Sequence, residues 1–198
     1  MRIGYGWDSH EFKKGVPLRI GGVALDHDRG LAGHSDGDVL LHALTDALLG
    51  AIAAGDIGSF FPPTDPQWKD ADSALFVAVA IEKIKEQGYE VNNVDSTLIL
   101  SAPKIRPVAA KIQARVAELL GVAPNQVGIK AKTPEGMGTD DAAIAHVIVL
   151  LEKHAEHQLL EMANAVLEAE HHVNETVKNL ISEVEPIQSP AEKKKAKS

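Results

Sequence analysis

The sequence predicts an α+β fold, a single sheet with helices on one face. Two observations carry this. Up to residue 153, strand-like and helix-like segments alternate, the pattern of one sheet layer covered by helices. Beyond Glu152 the pattern changes to apolar residues at helical spacing alone, which marks an appendage. The 198 residues suit one domain of residues 1–153, an amphipathic helical extension over 154–185, and a disordered basic tail over 186–198.

Residues 2–7 read as a strand. Pro17–Ile20 and Val23–Leu25 flank Gly21-Gly22, a hairpin signal. A helix is expected from about Ser35 to Ala54, with Leu40, Leu44, Ala47 and Leu48 on one face and Ser35 or Asp36 as its cap. Residues 55–72, rich in Gly and Pro, read as a loop. A second helix spans about Asp72–Gln87 and stops at Gly88; Tyr89–Ser101 is a long strand rich in Val, Ile and Thr. Pro107–Leu120 is a third helix ended by Gly121, and Val127–Lys132 a strand. Thr133–Asp140 is a Gly-rich loop, and Ala142–Leu151 fits helix or strand equally by periodicity.

A formal charge of -8 argues against nucleic acid as a partner. No apolar run approaches a membrane span, and the opening Met1-Arg-Ile-Gly4 lacks the regions of a signal peptide, so the expected compartment is cytoplasmic and no membrane partner is expected. With no cysteine, any zinc must be held by nitrogen and oxygen.

Asp8 and His10 stand two apart, so in an extended strand they share a face. With His42 they form a reasonable set of ligands for a first-row metal, and three ligands leave a fourth position open for chemistry. His42 shares a helix sector with Asp38 and Asp46, which a plain solvated face explains equally well. Gly33-His34-Ser35-Asp36 puts polar side chains at the start of that helix, where free N–H groups suit a phosphate. Gly55-Asp56-Ile57-Gly58 is either a simple turn or a sugar-hydroxyl acceptor. Ala102-Pro103-Lys104 ends a strand, where the lysine meets phosphate or solvent. Lys130-Ala-Lys-Thr-Pro-Glu-Gly136 gathers two lysines, a hydroxyl and a carboxylate, a set able to hold a phosphate and a divalent cation. Its glycine spacing is not that of a P-loop.

Taken in order, these motifs resemble those of the 2-C-methyl-D-erythritol 2,4-cyclodiphosphate synthases. The run from Gly33 to Ala51, the opening Gly6-Trp-Asp-Ser-His10, Gly55-Asp-Ile-Gly58, Ala71-Asp-Ser73 and Lys130–Gly138 carry the resemblance, which covers residues 1–153. It implies a homotrimer with active sites at subunit interfaces. The implied substrate is the cytidine diphosphate 4-diphosphocytidyl-2-C-methyl-D-erythritol 2-phosphate, whose 2-phosphate attacks its own outer diphosphate phosphorus and expels CMP. It further implies Zn2+ on Asp8, His10 and His42, and Mg2+ or Mn2+ on Glu135. His34 and Thr133 match transition-state stabilising positions, with Ser35 on phosphate and Asp56 and Gly58 on ribose. Leu100–Arg106, including Ala102 and Lys104, match the cytidine and phosphate pocket together with Ala131 and Lys132. Phe61 marks the erythritol-binding segment. Many members carry Asp two residues after that Phe; here Pro63 stands there, leaving Asp65 or backbone groups to meet the hydroxyls. Gly138-Thr-Asp-Asp141 also replaces a longer Arg-containing segment tied to phosphate and to a trimer-cavity anion. Two other readings use the same residues: a zinc-dependent nucleotide diphosphohydrolase, and a non-catalytic nucleotide-binding trimer.

The extension lies outside the resemblance. Leu159, Val166, Val173 and Leu180 repeat every seven residues, as do Leu160, Leu167, Asn174 and Ile181, which points to a helix engaged in trimer assembly.

Overall fold

The computed structural model describes residues 1–183, without the side chains at 156–158, 161 and 183. The expected basic tail and the last residues of the expected extension lie outside the described residues. The chain divides into a compact unit of residues 1–154 and a second unit from Ala155 onward.

Five strands form one mixed sheet: β1 (Arg2–Lys14), β4 (Arg29–Leu31), β5 (Tyr89–Ile99), β6 (Val127–Lys132) and β7 (Ala142–Lys153). Their order is β4-β1-β7-β5-β6, with β5 and β6 parallel and every other pair antiparallel. A separate hairpin joins β2 (Leu18–Ile20) to β3 (Val23–Leu25). Its turn needs positive φ at two successive residues, and Gly21 and Gly22 supply +62° and +74°.

The segment left open between helix and strand is β7. Along it Ala143, Ala145, Val147, Val149 and Leu151 are buried at every second position, and it pairs with β1 on one side and β5 on the other. Strand β1 runs seven residues past its expected end, because Asp8–Lys14 continue the pairing through polar positions that look like a loop in sequence.

Helices α1 (Val39–Ala51), α3 (Ala74–Glu86) and α4 (Ala109–Leu120) cover one face. Contact between α1 and β1 is close because Gly4 and Gly6 face the helix. A Cβ on them would lie 1.8 Å from the Ala47 carbonyl oxygen and 1.9 Å from that of Ala43. The other sheet face carries Ile3, Tyr5, Trp7 and Ile148, between 49% and 72% exposed.

Three expectations need correction. Helix α1 starts at Val39, and its cap is Asp38 rather than Ser35 or Asp36. Asp38 is fully buried and accepts from the N–H groups of Gly21, Gly22 and Leu41, so the Asp38 end of that helix sector is no solvated face. The expected loop of residues 55–72 holds the short helix α2 (Ile57–Phe60) and a 3-10 turn at Pro66–Trp68.

The second unit's described part is one helix, α5 (Ala155–Glu183). Among the described residues no helix is long and apolar enough to cross a membrane.

Candidate active site

β1 projects Asp8 and His10 toward α1, which presents His42 from its first turn. The Asp8 Oδ2 to His10 Nε2 distance is 2.9 Å, Asp8 Oδ2 to His42 Nδ1 is 3.1 Å, and His10 Nε2 to His42 Nδ1 is 3.0 Å. Tetrahedral zinc with N and O ligands at about 2.0–2.2 Å needs donor atoms about 3.3 Å apart. The observed triangle is within a few tenths of an ångström of that.

The protons agree with this geometry. His10 bonds the Ala32 backbone carbonyl, an acceptor only, so its proton sits on the nitrogen away from the cluster. His42 Nε2 lies 2.9 Å from Ser35 Oγ and 2.8 Å from Ser73 Oγ. Ser73 donates its own proton to Asp36, so its oxygen accepts the His42 Nε2–H. Both histidines therefore turn a lone pair toward the Asp8 carboxylate. Three acceptors facing one point need a proton or a cation between them.

The titration shifts follow from this crowding. Burial alone would raise the Asp8 carboxyl, but bonds and charge from His10 and His42 outweigh it and hold it at about 2. Burial alone would lower His10, yet the Asp8 carboxylate raises it overall.

His10 and His42 open into a cavity of about 290 Å³ that His34, Ser35, Ile57, Gly58 and Phe61 also line. The Asp65 carbonyl, 3.2 Å away, accepts from His34 Nε2 and fixes the ring. Phe61 stacks on Phe76 with centroids 4.3 Å apart and meets Trp68 edge-on, which makes a firm aromatic wall. Asp56 caps α2, accepting from the Ser59 N–H and hydroxyl at 2.8 and 2.6 Å, and these bonds lower its pKa. The Asp65 carboxylate accepts from the Gln67 N–H and side-chain amide, so it serves the 3-10 turn while its carbonyl serves His34.

The remaining candidates gather elsewhere. Lys104, Ala131, Lys132, Thr133 and Glu135 line a second cavity of about 470 Å³, beside Leu100 and Arg106. Ala102 lies on the same loop, on the cis bond to Pro103. The Thr133 hydroxyl donates to the Glu135 carboxylate. Strands β1 and β6 are three steps apart in the sheet, about 14 Å at the usual strand spacing. Within one chain, His34 and Thr133 therefore belong to different cavities.

Four residues that the sequence names without a role in the site support it. Asp36 and Ser73 anchor His42 across 37 positions of chain. Asp38 ties α1 to the β2–β3 hairpin. Asp46 accepts from the Ile57 N–H at 2.7 Å and so holds the Asp56–Gly58 turn beside the triad; burial raises its pKa. Ser73 stands in a motif noticed for its resemblance, but no local signal pairs it with His42.

Residues 1–152 match the YgbB family. The chain belongs to that family. A relative from Koribacter versatilis, named 2-C-methyl-D-erythritol 2,4-cyclodiphosphate synthase, is 63% identical over 153 residues, 77% of this chain and 99% of the relative. A rice relative named as the chloroplastic enzyme is 48% identical over 76% of this chain and 69% of its own length. A solved synthase structure described as a CDP-bound form superposes with a TM-score of 0.73 at 37% identity, covering 76% of this chain and all of that one. None of these matches extends over the whole of this chain, and the YgbB match ends before α5 begins.

Proposed function

We propose how this YgbB-family chain works. Its activity is that of a cyclodiphosphate synthase, a lyase of the non-mevalonate isoprenoid pathway. It converts 4-diphosphocytidyl-2-C-methyl-D-erythritol 2-phosphate to the 2,4-cyclodiphosphate and CMP. One observation carries the mechanism: three lone pairs from Asp8, His10 and His42 converge at 2.9–3.1 Å, with His10 and His42 lining a cavity.

In our reading Asp8, His10 and His42 hold zinc, and Glu135 holds magnesium or manganese. When bound, these cations neutralise the phosphates and draw electron density from the phosphorus under attack. The protein supplies no nucleophile, since the substrate's own 2-phosphate attacks. What the chain contributes is position and charge. His34, fixed by the Asp65 carbonyl, and Ser35 hold the reacting phosphates against the triad. The Asp56–Gly58 turn, held by Asp46, takes the ribose. Phe61 and its aromatic neighbours shape the wall and exclude water, which would otherwise yield a linear phosphate. Lys104, Ala131 and Lys132 receive the cytidine and its phosphates, and Thr133 bonds the phosphate in flight.

The separation of the two cavities supports a site completed by a second copy: the triad from one subunit and the Thr133–Glu135 loop from its neighbour. The uncovered sheet face with Ile3, Tyr5, Trp7 and Ile148 supports a homotrimer, because such an apolar patch calls for a partner.

Phosphorus NMR of the product, with zinc and magnesium present, tests this function. Cyclic diphosphate with CMP is expected. Linear phosphate with CMP would make the chain a diphosphohydrolase, and absence of turnover would make it a binding protein.

A further inference from the structure

The helix α5 runs 29 residues from Ala155, about 43 Å at 1.5 Å per residue. It carries nine large apolar side chains between 46% and 68% exposed. Those at Leu159, Val166, Val173 and Leu180 repeat every seven residues, and Val177 falls four past Val173. Leu160, Leu167 and Ile181 make a second row beside the first. Glu168, Glu175 and Lys178 lie away from these rows. A strict seven-residue repeat keeps one face inward only if helices supercoil around each other. The face here is three positions wide in each heptad. That suits a bundle of more than two strands, since a two-stranded seam uses only two.

The area points the same way. Each such side chain exposes on the order of 60–120 Å², so the nine present roughly 800 Å², about one partner's share of a standard stable interface. His154 alone separates the end of β7 and the start of α5 in sequence, so the copies in a cyclic assembly launch their helices from equivalent points and in the same sense.

We infer that α5 is an assembly module whose partner is the α5 of other copies of this chain, three helices running parallel in a left-handed bundle. This rests on the homotrimer reading above. Glu170 and Asn174 interrupt the apolar face at its middle, and a polar residue inside such a seam fixes register at a cost in stability.

The chain has no cysteine, so single cysteines report contacts between copies without background. The full-length variants Leu159→Cys, Val173→Cys and Glu168→Cys are oxidised with copper–phenanthroline and run on a non-reducing gel. Leu159→Cys and Val173→Cys should link up to about two-thirds of the chains into pairs, since three thiols at one layer form only one disulfide. Glu168→Cys, on the far side of the helix, should stay unlinked. Linking at Val173 but not at Leu159 would mean antiparallel helices and overturn the proposal. So would linking at none, or equally at all three. Sedimentation of the same proteins separates the two layers of the argument. Three copies without the Leu159 cross-link removes the α5 bundle and leaves the trimer. Linked chains sedimenting as two copies removes the trimer.

Discussion

Asp8, His10 and His42 sit on a long strand and a long helix, and the far nitrogen of each ring is tied down, by the Ala32 carbonyl or by Ser35 and Ser73. Thr133 and Glu135 sit on a loop. Glu135 takes a positive φ of +51°, and Gly136 and Gly138 have nothing within 4 Å of where a Cβ would stand. One half is organised before any ligand arrives. The other is open, tied within itself by the side-chain bond between Thr133 and Glu135 and by the Met137 N–H on the Pro134 carbonyl. The contrast suits a resident cation on the first half and a cation that arrives with the diphosphate on the second.

The largest effect should come from the organised half. His42→Ala leaves two ligands where three are needed, and zinc with nearly all activity should be lost, roughly a 10³-fold drop or more. The fold should survive, because the side chain lies at the cavity. Full zinc occupancy by metal analysis would break the ligand assignment.

Ser73→Ala removes the acceptor that Asp36 holds for His42. Zinc affinity should fall about 10–100-fold, the usual cost of losing a partner behind a ligand. An unchanged affinity in competition with a chelator would mean Ser35 alone orients the ring.

Glu135→Gln addresses the loop half. It should raise the magnesium or manganese needed for half-maximal rate by on the order of tenfold, one charge-assisted contact, while zinc stays bound. An unchanged titration curve would count against Glu135 as a ligand.

The smallest effect is graded with pH. The Asp8 carboxylate raises His10 above its ordinary value of 6.5, and a proton on His10 Nε2 competes with the cation for the same lone pair. Zinc affinity should therefore weaken as pH falls, beginning above the usual histidine range. An affinity flat from neutral pH down to 6 would show that His10 is not a ligand.

Legibility from sequence divides along the same line. Val127–Lys132 and the Gly21-Gly22 hairpin fold as read, because strand composition and glycine turns are local signals. Asp8, His10 and His42 could be grouped because a two-residue spacing on a strand and a helix nearby suffice. The start of α1 was misread because Asp38 caps it only once the hairpin N–H groups have folded onto it. The last half of β1 is polar at every position except Phe12, so no apolar alternation marks it as strand. The pairing of Ser73 with His42 depends on how α3 packs beside α1, and the distance between the two cavities on the order of strands in the sheet; no local pattern encodes either.

The central claim is that a working site takes its triad from one copy and its loop from another. Mixing two inactive proteins tests it directly: His42→Ala, and the double variant Thr133→Ala/Glu135→Ala. They are unfolded together in equal amounts, refolded and assayed. If the halves lie on different subunits, random trimers should contain some sites with both halves intact. Each half is wild-type in half of the chains, so activity should return to about a quarter of the wild-type level. A mixture no more active than its two components would contradict the account, since it would mean that each site is built within one chain.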